Sequence, residues 1–254
     1  MRAPVLIFLL IGLLGPVFAQ NVEGMVHWTV RFEKALPPET KEPKSKATED
    51  REQAGLEPRK DFFPKGITLT LKNGNARLSH QGGPLDGNVV LRLVGRPGHL
   101  QFNTNSPGTA WAFPPSTPTP AAIARIKITR TEETGSILGL PTRKYVVITQ
   151  AFGPVKEMTI TVWTTTALPG ADAKLLMDLQ LSQGEAVYLP QIEGLPLKME
   201  YRGPATEGLE FVLEADRVDR LQLADELFRI PVGYTEKVVE PRPSLVRPPA
   251  GTVP

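Results

Sequence analysis

Hydrophobic and polar residues alternate with a period of two through most of this chain, the spacing of half-buried β-strands. In the first such run Val22, Gly24, Val26, Trp28, Val30 and Phe32 share one face, and Glu23, Met25, His27, Thr29, Arg31 and Glu33 take the other. Ile67, Leu69 and Leu71 then alternate with Thr68, Thr70 and Lys72. Asn73-Gly74 follows, a pair that tolerates positive φ at both centres of a tight hairpin turn, so 75–80 reads as the returning strand. The 82–87 stretch is a loop and 88–94 is rich in β-formers. His99 opens a further alternating run with Leu100 and Phe102 inward.

Residues 105–120 are rich in Pro, Ser and Thr and read as a loop that packs Trp111 and Phe113 down onto the sheet. Strands are expected over 123–131, in a hairpin of 143–150 with 155–165, over 197–202 and over 208–220. In the second arm of that hairpin Met158, Ile160 and Val162 oppose Thr159, Thr161, Trp163 and Thr165, so Trp163 lies on the threonine face. Covered or exposed for a partner, it is the odd residue of its strand. Helical spacing of Leu175, Leu176 and Leu179, with Asp172 as a cap, predicts a helix over 171–181. The same segment also carries Leu175, Met177, Leu179 and Leu181 at strand spacing. A short turn is expected over 224–228. The fold class is therefore mainly β: a large curved antiparallel sheet, or half-barrel, with one or two short helices packed on one face.

The ends and one insertion break the pattern. Met1-Arg2, an apolar run to Phe18 and the small residues Val17 and Ala19 of Val17-Phe18-Ala19 read as an export signal over 1–19, with Gln20 following. That run is shorter than the roughly 20 residues of a membrane helix. Residues 35–65 alternate charges of both signs and contain five prolines. Such a segment buries too little apolar surface to offset its ordering entropy and reads as a disordered charged insertion. Residues 235–254 read as a proline-rich flexible tail. Between them, 20–234 form a single β-rich domain, placed by the signal in the periplasm or outside the cell.

Composition narrows the chemistry. The 254 residues include no cysteine and 3 histidines, which excludes disulfides, thiolate catalysis and cysteine-built metal sites. The 29 basic and 27 acidic residues nearly cancel, leaving no bulk field for nucleic acid. Gly135-Ser136-Ile137-Leu138-Gly139 places its serine one position too early for a nucleophile elbow, and reads as a turn between strands. Gly82-Gly83-Pro84-Leu85-Asp86-Gly87 lacks the lysine-threonine ending and helix N-terminus of a phosphate loop. The carboxylate pairs Glu132/Glu133 and Asp216/Asp219 read as surface charge, and His27, His80 and His99 stand at no metal-ligand spacing.

Several blocks together carry a resemblance. They are Gly135-Ser136-Ile137-Leu138-Gly139-Leu140-Pro141-Thr142-Arg143-Lys144-Tyr145, Thr161-Val162-Trp163-Thr164, Gly194-Leu195-Pro196-Leu197-Lys198-Met199-Glu200-Tyr201 and Phe228-Arg229-Ile230-Pro231-Val232-Gly233-Tyr234. Their order and spacing, over about residues 130–234, resemble the bacterial envelope family catalogued as domain of unknown function 4412 (DUF4412), itself similar to the lipoprotein-carrier (LolA/LolB-like) fold. The resemblance implies an exported half-barrel closed by helices and transfers no catalytic residues.

The functional expectation is an exported envelope binding module and not an enzyme, with no cofactor and no metal. An apolar ligand, lipid or lipoprotein segment would sit against Trp28, Phe32, Met199, Tyr201, Phe211 and Leu213. The alternative is an envelope structural or interaction protein that docks a protein partner through the charged insertion and the tail.

Overall fold

The computed structural model describes residues 22–34, 61, 63–115, 124–150, 157–176, 180–182, 185–186, 192–202 and 209–239. The expected signal at 1–19, most of the insertion (35–60 and 62) and the end of the tail (240–254) lie outside them.

Alternation becomes strand wherever it was clean. The first run forms β1 (Gly24–Lys34), and the Asn73-Gly74 hairpin joins β2 (Gly66–Lys72) to β3 (Asn75–Gln81). Asn73 and Gly74 hold φ of 50° and 79°, the pair of left-handed values that matches the twist of the flanking strands. Three short strands follow: β4 (Asn88–Arg92), β5 (His99–Asn103) and β6 (Thr109–Phe113). Then come β7 (Ile126–Ile137), β8 (Leu140–Thr149) and β9 (Met158–Thr165). A small ribbon of β10 (Gln180–Ser182) and β11 (Glu185–Ala186) precedes β12 (Leu195–Arg202), β13 (Leu209–Arg220) and β14 (Thr235–Val238).

Apart from β10 and β11, the strands make one twelve-stranded sheet in the order β14-β6-β5-β4-β3-β2-β1-β13-β12-β9-β8-β7. Every neighbouring pair is antiparallel except β14 with β6. The sheet does not close: β14 and β7 are its two edges. The first described strand, β1, lies at the middle; one wing builds outward from β1 to β6, the other inward from β7 to β13, and β13 seals against β1.

Because side chains alternate across a strand, the sheet carries a core on each face. Val90 of β4 belongs to the main cluster, which runs through Val26, Trp28, Leu69, Leu78, Tyr145, Val162, Met199 and Phe211. Its neighbours Val89 and Leu91 point the other way, into a second cluster with Leu100, Phe102, Ala110, Ala112, Leu223 and Phe228.

Several expectations are corrected. The helix over 171–181 does not form among the described residues: Ala173–Leu176 make a single 3-10 turn and Gln180–Ser182 lie in β10, while 177–179 lie outside the described residues. Burial explains the turn, since Ala173 and Leu176 both point into the main core. The other short helix, Asp225–Phe228, is also 3-10 and buries Phe228 in the second core, so the two turns pack on opposite faces and not on one. The 105–120 loop contains β6, whose Ala110 and Ala112 face inward while Trp111 faces out; small inward residues hid the alternation. The sheet also continues four residues into the expected tail, because Thr235–Val238 pair in parallel with Thr109–Ala112. At the insertion's end, Phe63 packs on the main core and the Lys65 amide bonds the Gln81 carbonyl at 2.7 Å, so this part is tied down. No helix among the described residues is long and apolar enough to cross a membrane.

Candidate functional site

The six residues expected to line a ligand space do share one face and one neighbourhood. β-Pairing sets Phe32 opposite Phe211, Tyr201 opposite Phe211 and Met199 opposite Leu213. Trp28, Met199, Tyr201, Phe211 and Leu213 are buried and Phe32 is half-buried. They fill the space with one another. Tyr201 stacks on Phe211 at 4.3 Å, Phe63 lies 4.9 Å from Phe211, and Phe32 meets Phe63 edge-on at 5.4 Å. Their polar atoms are satisfied within the cluster: Trp28 Nε1 donates to the Pro196 carbonyl at 3.2 Å and the Tyr201 hydroxyl meets Met199 Sδ at 3.5 Å. Close packing of rings is what gives such a core its rigidity.

A different site lies on the reverse face. A hollow of about 590 Å³ opens where β1 parts from β2, lined by His27, Lys65, Thr68, Gln81, Asp216 and Arg217 among others. It is made by a bulge. His27 pairs with Arg217 but Trp28 pairs with Ala215, so Asp216 is the extra residue on β13. A bulge reverses the parity of the strand beyond it. Ala215 points into the main core, and without the bulge Arg217 and Asp219 would follow it there. Instead both stand beside His27.

The imidazole is held on both sides. Nδ1 meets Thr68 Oγ1 at 3.0 Å, directly across the β1–β2 pair. Nε2 lies 3.1 Å from Asp219 Oδ2, and Arg217 reaches Nε2 at 3.0 Å and Asp219 Oδ2 at 2.8 Å. With the proton on Nε2, the ring donates to Asp219 and accepts the Thr68 hydroxyl; with the proton on Nδ1, it donates to Thr68 Oγ1 and Nε2 accepts from Arg217. That order of hydroxyl, imidazole and carboxylate is the order of a hydrolytic relay, but the surroundings differ. Thr68 is only 9% exposed, and β2 is paired on both sides, so its backbone N–H groups serve the sheet and not an oxyanion. The arrangement fixes a donor-and-acceptor surface: a mostly buried imidazole, an exposed guanidinium and Gln81 and Lys65 on the rim.

The other residues singled out in the sequence stay apart from this hollow. Ser136 lies in β7 and Leu138-Gly139 make the turn, with φ of 54° and 74°. In the 82–87 loop Asp86 takes the place an anion would need, its Oδ1 accepting the Gly82 amide at 2.6 Å. His80 is buried with Nδ1 at 3.2 Å from the Asn88 carbonyl, and His99 stacks on Phe113 at 4.9 Å. Glu133 pairs with Lys144 at 2.8 Å. Trp163 is covered by the β7–β8 hairpin: Gly135 leaves room for its ring, and Lys144 Nζ sits 5.7 Å from the ring centroid. The Phe228–Tyr234 block clasps the second core, with the Tyr234 ring edge-on to Phe102 and its hydroxyl donating to the Asn103 carbonyl at 2.7 Å. Among the described residues no three His, Asp or Glu side chains gather as metal ligands.

No protein-family model and no curated protein matches this chain. Among solved structures, one of PNGF-II in the C2 space group superposes distantly, at a TM-score of 0.46 and 18% identity over 84% of this chain. A second, in P21, gives 0.45 and 18% over 85%. The chain spans under a third of the length of those structures, 30% and 31%.

Proposed function

We propose that this chain is an exported binding module that works from the surface of a rigid open sheet and performs no chemistry of its own. The reading is carried by one contrast in the site's geometry. The apolar face is filled by its own rings, whereas the hollow of about 590 Å³ presents polar groups fixed by hydrogen bonds and left accessible. Preset donors and acceptors in a concavity suit a small polar group that offers both, because little side-chain entropy remains to be lost on binding.

The test is a thermal-shift screen of the intact protein against carboxylic acids, amino acids, sugars and phosphates. At least one class is expected to raise Tm in the wild type and to leave the His27→Ala, Arg217→Ala double variant unmoved. Hits that act equally on both proteins, or no hit at all at millimolar concentrations, would overturn the reading.

The half-buried Phe32 and Phe63 favour a second reading, in which an apolar ligand, lipid or lipoprotein segment enters the main core at that end. An acyl chain with about 14 buried methylenes gains roughly 11 kcal/mol before association costs, enough to displace two rings. Lipid extraction followed by native mass spectrometry decides it: an adduct lost on Phe32→Asp supports this reading, and protein of bare mass that takes up no fatty acid refutes it.

A further inference from the structure

The main core's face does not end where the core does. Beyond β3 it continues over β4, β5, β6 and β14, where its residues change character. Register places Val90, Gln101, Trp111 and Lys237 in one row across the four strands. A second row, two residues along, holds His99 beside Phe113, stacked nearly parallel at 10°. Trp111 stands in mid-strand with 44% of its surface exposed. Together with the half-buried His99–Phe113 pair it forms a grouped aromatic strip, and grouped apolar surface marks a contact site.

Charge says what kind. By alternation, Lys237 lies on this face, and among its described residues on β4, β5, β6 and β14 there is no aspartate or glutamate. Glu236 points to the opposite face, where it pairs with Arg96. The molecule carries its own control in Trp163. There too a lysine lies over an indole, but Glu133 neutralises Lys144 at 2.8 Å and Gly135 lets the hairpin close over the ring. At Trp111, Lys237 Nζ lies 5.8 Å from the ring centroid and has no carboxylate partner among the described residues.

From this we infer that the β5–β6–β14 face binds an acidic polysaccharide, a chain of uronate-type sugar rings. A pyranose ring has an apolar C–H face and polar edges, as an indole-and-amide surface requires. Stacked on Trp111, it brings its hydroxyls to Gln101, whose amide is oriented by a 3.1 Å bond to Asn88 Oδ1, and its carboxylate to Lys237. The strand spacing of about 4.8 Å sets ring and cation one strand apart, and the His99–Phe113 pair lies about 7 Å away along the strands for the next sugar. An acidic peptide such as polyglutamate suits the surface less well, since it offers carboxylates but no C–H ring face to lie on the indole.

The test is titration calorimetry of the full chain with oligogalacturonate, with neutral dextran and polyglutamate as comparisons. Oligogalacturonate is expected to bind, at least ten-fold more tightly than either, and more weakly as salt rises. Trp111→Ala is expected to lower its affinity at least ten-fold, and Lys237→Gln three- to ten-fold with most of the salt dependence lost. Both residues are exposed, so an unchanged melting curve certifies the fold. Undetectable oligogalacturonate binding at millimolar concentration, an unaffected Trp111→Ala protein, or equal affinity for dextran or polyglutamate would each overturn the inference. None of these results bears on the hollow at His27, on the other face.

Discussion

The two cores of this sheet are built on different principles. The main one is wide, runs from β8 to β4, and is dominated by rings and branched chains from long strands. The second is small: Ala110 and Ala112 supply part of its floor, and its lid is the segment from Leu223 to Tyr234. What it lacks in apolar area it makes up in polar ties. Glu23 accepts the Leu223 amide at 2.7 Å, and Lys72 donates to the Leu223 carbonyl and pairs with Asp225 at 2.8 Å. Arg77 donates to the Leu227 carbonyl at 3.2 Å, and Arg96 holds Glu236 of β14. Burial scales with area, whereas a hydrogen bond exchanged against water contributes about 1 kcal/mol. The main face is therefore expected to yield only on global unfolding, and the second to open as a local clasp.

Substitutions can break that contrast, and the largest effect belongs to the main core. Trp28 is 2% exposed, and Trp28→Ala is expected to cost about 3–5 kcal/mol in urea unfolding, with all regions melting together. Phe228→Ala empties the lid of the second core. Because the lid can let go, the expected loss is smaller, about 2–3 kcal/mol, and hydrogen exchange is expected to rise in β14 and β6 well before β1 and β13. A global effect as large as that of Trp28→Ala would erase the distinction.

Much of this was legible in advance. Clean alternation marked β1, β2, β5 and β12, and Asn73-Gly74 marked its hairpin, because there local propensity and burial agree. That Trp28, Phe32, Met199, Tyr201, Phe211 and Leu213 share one apolar face was legible for the same reason. The His27 hollow was not. Counting by twos from Leu213 sends Arg217 and Asp219 into the core, and only the bulge at Asp216, which no local residue pattern announces, turns them to His27. β6 escaped notice because its inward residues are alanines between proline-rich flanks. The helix over 171–181 was a wrong choice of period, where Leu175 and Leu179 satisfy both spacings.

Smaller perturbations sharpen the comparison. A side chain at Gly135 would start 3.2 Å from the Trp163 ring, so Gly135→Val is expected to push the indole outward. A red shift of the emission that is absent in a Trp163→Phe background checks this, with stability changed by no more than about 1 kcal/mol. The smallest effect is one of pH and is confined to the clasp. Hydrogen bonding to Lys72 holds the Asp225 carboxyl below the usual carboxylate range, and Arg96 does the same for Glu236. Groups with lowered values stabilise the fold above their unfolded pKa, and that contribution disappears as pH falls through the folded one. Lys72 is raised, first by its bond to Asp225, so its contribution is complete below the ordinary lysine range and is lost as pH climbs through the raised value. Amide exchange of 223–238, corrected for intrinsic rates, is therefore expected to quicken below about pH 4 and again at strongly alkaline pH. Asp225→Asn should flatten the acid limb.

The most direct test of two differently held faces is native-state hydrogen exchange on the intact chain in low denaturant. Amides of β6, β14 and the 223–234 lid should exchange through a local opening of shallow denaturant dependence, while β1, β12 and β13 wait for global unfolding. A single common opening free energy for all of them, with the full denaturant slope, would contradict the account.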